Sequence, residues 1–294
     1  MDFSLLLNSV FTFFSLAMAI ISVWVKPSTW IWGSFLIIAF GLGYLAKIFT
    51  PIALFPIGGL LILHAILKGD VRGLARFVLV ILTAAISIGL LAHLLPGFHN
   101  WNIVNHFKLS ADSTPFTLFL NFDKPFIGFF VLALGFPLIR NLRDFGNLMK
   151  VAIPLTLCGV VILATLALYS GLIRWDPKLP RIFWFFAIEN LIFVCIIEEA
   201  FWRGFLQNEF SEILKRWKAF GSLLAVIITA ILFTILHYFW VPSIPFLSLV
   251  FVAGLIYGGI YQLTDSLEAS IFCHWVFNLI HFVLFTYPVL QNAL

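Results

Sequence analysis

Apolar runs long enough to cross a bilayer follow one another from residue 4 almost to the C-terminus, and this feature constrains the fold more than any other. A hydrocarbon core takes about 20 apolar residues per helix. Lipid offers no partner for backbone N–H and C=O groups, so only helices or a closed barrel can span it. The runs are continuous, whereas barrel strands alternate apolar and polar residues in short segments. The expectation is an all-α polytopic transmembrane helix bundle. Breaks at charge, Pro and Gly predict about ten membrane segments, at 4–25, 29–48, 51–67, 74–95, 126–139, 151–173, 182–201, 220–240, 244–263 and 268–290. The run 126–139 is short enough to be re-entrant or interfacial. Composition agrees: 62% of residues are hydrophobic and 10% charged, against about 45–50% and about 25% in soluble domains.

The net charge of +4 is spread through the connections, which argues against a nucleic-acid partner and for topology signals. Lys26, Lys68, Arg72, Arg76, Arg140, Arg143, Lys150, Lys215, Arg216 and Lys218 fall on one side of a ten-span arrangement. Lys47, Lys108, Lys124, Arg174, Lys178 and Arg181 fall on the other. The richer side is expected to be cytoplasmic, in a bacterial inner membrane, with both termini outside. Asp2 and the lack of a basic n-region make the first run a span rather than a cleaved leader. Cys158, Cys195 and Cys273 sit in apolar runs and read as small buried hydrophobes, not disulfides. Trp30, Trp32, Trp175 and Trp184, near segment ends, suit interfacial belts.

A polar connection, 96–125, divides the chain into residues 1–124, with about four spans, and residues 125–294, where the intramembrane ionisable residues gather. A charge in mid-bilayer costs about 2.5–3.5 kcal/mol on insertion scales and needs a partner or a purpose. Glu198 and Glu199 place two adjacent carboxylates in an apolar helix, and Arg203 stands four residues after Glu199, the spacing for an ion pair on one face. Glu198 points about 100° away. In an apolar pocket its ionised form is disfavoured, which suits a general base. Alternatively, both glutamates mark a helix end at the membrane surface.

His237 lies deep in the run from Leu223 to Trp240, and His274 and Asn278 share one face of the last run. Singly, such residues are commonly interhelical hydrogen-bonding groups. Jointly they fit hydrolysis: Glu198 and His237 deprotonate a water, and His274 and Asn278 stabilise the oxyanion. No thiol nucleophile is needed, since an apolar setting raises the pKa of Cys195 and Cys273. Glu198, His237 and His274 could also form a zinc site, with His281 as a spare ligand or packing partner. No H-E-x-x-H pair is present, so a reading without metal or cofactor is preferred. Ala253, Gly254, Gly258 and Gly259 form a small-residue packing face, and Glu189 with Asn190 marks a second polar position.

EEAFWRG at 198–204, FTILH at 233–237 and HWVFN at 274–278 resemble, in order, the EExxxR, FxxxH and HxxxN motifs of the CAAX protease and bacteriocin-processing (CPBP) family. The resemblance covers roughly the last hundred residues. It implies a membrane-embedded helical endopeptidase of the glutamate type, acting on a protein or peptide substrate in the lipid bilayer. Glu198 and His237 would activate water, His274 and Asn278 would bind the oxyanion, and Glu199 with Arg203 would brace the site. Two other readings use the same residues: a transporter with a buried Glu/His proton path, and a non-catalytic immunity or scaffold protein.

Overall fold

The computed structural model describes residues 3–25, 28–239 and 241–293, so Asp2, Lys26 and Trp240 lie outside the described residues. The apolar runs form helices α1 (Phe3–Val25), α2 (Thr29–Leu45), α3 (Leu54–Leu67) and α4 (Gly73–Leu91). Two short strands follow, β1 (Trp101–Phe107) and β2 (Phe116–Leu120), and pair with each other. Then come α5 (Pro125–Ala133) and α6 (Leu142–Tyr169). The next helix is composite: α7 (Phe183–Glu189), a π-helical segment Asn190–Cys195, α8 (Ile196–Glu199), a second π segment Ala200–Gln207, and α9 (Asn208–Leu214). The last elements are α10 (Lys218–His237), α11 (Ile244–Thr264) and α12 (Leu267–Leu284).

This is a helical integral membrane protein, but with fewer full spans than the apolar runs suggest. Among the described residues, six helical stretches are long and apolar enough to cross a bilayer: α1, α4, α6, Phe183–His237, α11 and α12. Thr29–Leu45 and Pro51–Leu67 are shorter apolar helices. The run 126–139 becomes α5, whose nine residues give about 13 Å at 1.5 Å per residue, under half a hydrocarbon core. Runs 182–201 and 220–240 belong to one stretch that reverses through Lys215–Trp217 and Lys218, whose φ is +51°. The reversal is tight: a Cβ on Gly221 would lie 2.2 Å from the Leu214 carbonyl oxygen.

Several hydroxyls are satisfied within their own helices, which suits a lipid surrounding. Thr12, Thr83 and Thr234 donate to carbonyls four residues back, at 2.7–2.8 Å. Asn141 caps α6 by accepting from the Asp144 amide at 2.8 Å. Arg140 donates to the Val23 and Trp24 carbonyls at the end of α1, at 3.2 and 3.3 Å. Of the cysteines, Cys195 and Cys273 are buried, but Cys158 is exposed on α6, because only part of that helix faces its neighbours. Trp30, Trp175 and Trp184 are exposed, whereas the Trp32 ring meets Phe129 edge-on at 5.6 Å and so contributes to packing.

The chain divides into two compact units. The first comprises 1–103, 119–140 and 192–201; the second comprises 104–118, 141–191 and 202–294. An aromatic core fills the first: Phe49 stacks on Phe122 at 5.1 Å, Phe40 on Phe126 at 5.5 Å, and Phe13 meets Phe122 and Phe193 edge-on. The buried Asp123 carboxylate, just before α5, lies 2.6 Å from His93 Nδ1 and accepts from Asn100 at 3.4 Å, which fixes where α5 begins.

In the second unit, Ala152, Leu163, Ala253, Tyr257 and Cys273 join α6, α11 and α12 in one core. The connections at one end of that unit are laced together. Lys178 donates to the Phe285 carbonyl and to Asp176, and Arg174 pairs with Asp112 at 3.2 Å. A hydrogen bond from Ser110, then Lys178 beside it, hold the Asp176 carboxyl below the ordinary carboxylate range, against the opposing effect of partial burial.

Candidate functional site

Glu198 and Glu199 form the last half of α8, the single α-helical turn between the two π segments. Both are buried, Glu198 at 9% and Glu199 at 0% exposure. They belong to the first unit, which walls them with α5. At Gly128 the two backbones nearly touch: a Cβ there would sit 2.3 Å from the Ile197 carbonyl oxygen and 3.0 Å from the Ala200 Cβ. Phe193, five residues before Glu198, meets Phe13 of α1 at 6.0 Å. α5 and, through Phe13 and Phe193, α1 therefore pack against the helix that carries the glutamate pair, a contact that the sequence does not reveal.

Arg203, His237, His274 and Asn278 belong to the second unit. The Arg203 guanidinium, fully buried, lies over the Phe233 ring at 5.2 Å and the Tyr257 ring at 5.4 Å, and its Nη2 donates to the Gly254 carbonyl at 3.1 Å. Phe233 faces the His237 ring at 4.4 Å, while Tyr257 stacks on His274 at 4.7 Å and 17°. One sequence of rings and a cation thus runs His237, Phe233, Arg203, Tyr257, His274. Cation–π contacts strengthen when desolvated, to about 2 kcal/mol. The planar guanidinium suits this double stacking where Lys would not.

His237 Nδ1 lies 2.8 Å from the Phe233 carbonyl. If that nitrogen carries the proton, Nε2 is left as the basic atom. Asn278 Nδ2 donates to Asn190 Oδ1 at 3.1 Å. His281 turns to the chain after α12, 3.3 Å from the Thr286 carbonyl and 4.9 Å from the Tyr287 ring, which fits a packing role. Among the described residues, no group of three or more His, Cys, Asp or Glu side chains is arranged to hold a metal ion.

The small-residue face of α11 explains how Arg203 reaches its acceptor. Gly254 and Gly258 expose their carbonyls one turn apart, and Arg203 and Gln207, also four apart, donate to them at 3.1 Å each. A Cβ at Gly258 would meet Gln207 Oε1 at 2.8 Å and Val226 Cγ1 at 3.1 Å. Gly259 has open space around it and is not part of the face. Gly258→Val is therefore expected to destabilise by about 1–3 kcal/mol through overpacking. Gly259→Ala should be near neutral by comparison. Thermal unfolding of the purified variants in detergent checks the pair, and equal effects would contradict the assignment. Tyr257 and Gln207 were not singled out by the sequence; both sit among small or polar residues at helical spacing, the signal that could have flagged them.

With this geometry in place, comparison with protein families is informative. Residues 180–280 match the model of the type II CAAX prenyl endopeptidase Rce1-like family. This segment is Rce1-like. It contains all three motifs and every residue of the ring and cation sequence. The Rce1-like match supports a CAAX protease-like membrane enzyme and covers about a third of the chain; α1 to α6 lie outside it. Comparison with curated proteins gives no significant match, and comparison with solved structures gives none either.

Proposed function

We propose that the protein is a glutamate-type intramembrane endopeptidase that hydrolyses a peptide bond in a membrane-associated or lipidated protein or peptide. The observation that carries the reading is the coincidence of the Rce1-like segment with buried and half-buried polar residues on successive helices, three of them joined by Phe233 and Tyr257. In this reading Glu198 and His237 take a proton from water as its oxygen bonds to the carbonyl carbon. His274 and Asn278 donate to the oxyanion. Collapse of the intermediate breaks the C–N bond, and the proton is delivered to the departing amine. Glu199 and Arg203 brace the helix that carries the base. No metal is needed, so chelators should leave turnover intact. About ten membrane segments, with α2, α3 and α5 reaching only part way, remain the reading of the membrane topology, with residues 1–124 as a supporting domain.

The test is a comparison of membrane proteomes from cells producing the wild-type chain and the Glu198→Ala variant. A protein whose terminus appears only with the wild type is the expected result, and it identifies the substrate. Identical termini in both strains, with both proteins present in the membrane, would sink the proposal. Substrate flux without any peptide product would favour a transporter instead.

A further inference from the structure

Asn190 heads the first π segment, eight residues before Glu198, and the hydrolytic reading gives it no role. Its side chain is buried, at 7% exposure. It is held where α7 and α12 meet: Phe186 stacks on Phe282 at 4.0 Å and 9°, and Trp275 Nε1 donates to the Ala187 carbonyl at 2.8 Å. Phe186 is four residues before Asn190, and Phe282 is four residues after Asn278. Between these contacts Asn190 Oδ1 accepts from Asn278 Nδ2 at 3.1 Å.

We infer that Asn190 is a positioning residue whose Oδ1 fixes which end of the Asn278 carboxamide serves the oxyanion. The inference rests on the endopeptidase reading above. A carboxamide torsion is soft and roughly two-fold, so an unrestrained Asn presents either its C=O or its NH2. Only the NH2 stabilises developing negative charge; the C=O would repel it. The Asn278 nitrogen has two N–H donors. A buried acceptor that engages one of them selects the orientation in which the NH2 end, not the C=O, is held on this side of α12. An interhelical hydrogen bond with no catalytic part would instead contribute only to folding.

The experiment uses the full chain in cells and reads the rate at which the Glu198-dependent new terminus forms in pulse-labelled membrane proteins. Asn190→Leu is expected to slow it roughly 10- to 100-fold, the scale of a misplaced reacting group. Asn190→Asp keeps a carbonyl-type acceptor in either protonation state and is expected to stay within about fivefold of wild type. Because the two residues act through one interaction, Asn190→Leu with Asn278→Leu should be no slower than Asn278→Leu alone. If Asn190→Leu fails to accumulate in the membrane, Asn190→Ala carries the same expectation. Loss of Asn190 without effect on a rate that Asn278→Leu impairs overturns the inference and leaves the endopeptidase reading standing. Equal impairment by Asn190→Asp and Asn190→Leu, or multiplying losses in the double variant, also overturns it. Absence of any Glu198-dependent terminus removes the reading and the inference together.

Discussion

Glu198→Gln is expected to lower the rate of peptide-bond cleavage by about 10²- to 10⁴-fold, the usual contribution of a positioned general base. The substitution keeps the size and hydrogen-bonding reach of the side chain, so the buried turn of α8 keeps its packing. What it removes is the ability to accept a proton. The membrane abundance and unfolding temperature of the variant should therefore stay close to wild type while the new terminus disappears. Unchanged cleavage by Glu198→Gln would reject the general-base assignment even if Glu198→Ala were inactive, because an inactive alanine variant alone could report a packing defect. His237→Ala should reproduce the rate loss, and the double variant should be little worse than either single one, since residues that act as one unit are not additive.

The second large effect is expected far outside the Rce1-like segment. Gly128→Val should deplete the folded protein or, where folded protein survives, reduce cleavage by at least about tenfold. Even alanine at this position places a methyl carbon 2.3 Å from the Ile197 carbonyl oxygen and 2.9 Å from its Cα, both backbone atoms that cannot rotate away. α5 must then move off α8, and the two glutamates follow the backbone of α8. Overpacking of this kind costs about 1–3 kcal/mol when side chains can adjust, and more when backbone must shift. Gly146→Ala is the control, because nothing lies within 4 Å of its added Cβ. Detergent-solubilised yield and unfolding temperature check the pair. Wild-type behaviour of Gly128→Val would contradict the close crossing.

How much of this was legible beforehand depends on whether a feature is local. The long apolar runs announced helices because lipid leaves the backbone no alternative. Charge and polarity set into those runs made Glu198, His237 and His274 stand out as candidates for the same reason. The small residues at Ala253, Gly254 and Gly258 announced a close approach, though not that its purpose is to offer carbonyls to Arg203 and Gln207. Hidden features were those that need a partner distant in the chain: Gly128 against Ile197, Tyr257 against His274, Asn190 against Asn278. The pairing of β1 with β2 was masked by polar residues such as Asn102, Asn105 and His106, which made the segment read only as a polar connection. At 126–139 the shortness of the run allowed a re-entrant or interfacial segment, and α5 is a nine-residue helix buried over most of its length. All seven described residues of α5 that are buried lie among its first eight, which is the pattern of an inserted plug.

The two π segments carry a consequence for any attempt to re-engineer this helix. A π turn closes its hydrogen bonds over five residues instead of four, so each wide turn in effect accommodates a residue that an α-helix would not. Removing one residue from Asn190–Cys195 or Ala200–Gln207 would let the backbone relax to ordinary α geometry. Because the wide turn absorbs that residue, the flanking side chains would stay nearly in phase, whereas a residue removed from ordinary α-helix, as in α7, would turn everything beyond it by about 100°. The wide turns on either side of Glu198 therefore take up chain length without turning the faces that flank them, and a deletion in the regular helix between or before them is what would aim the carboxylates elsewhere.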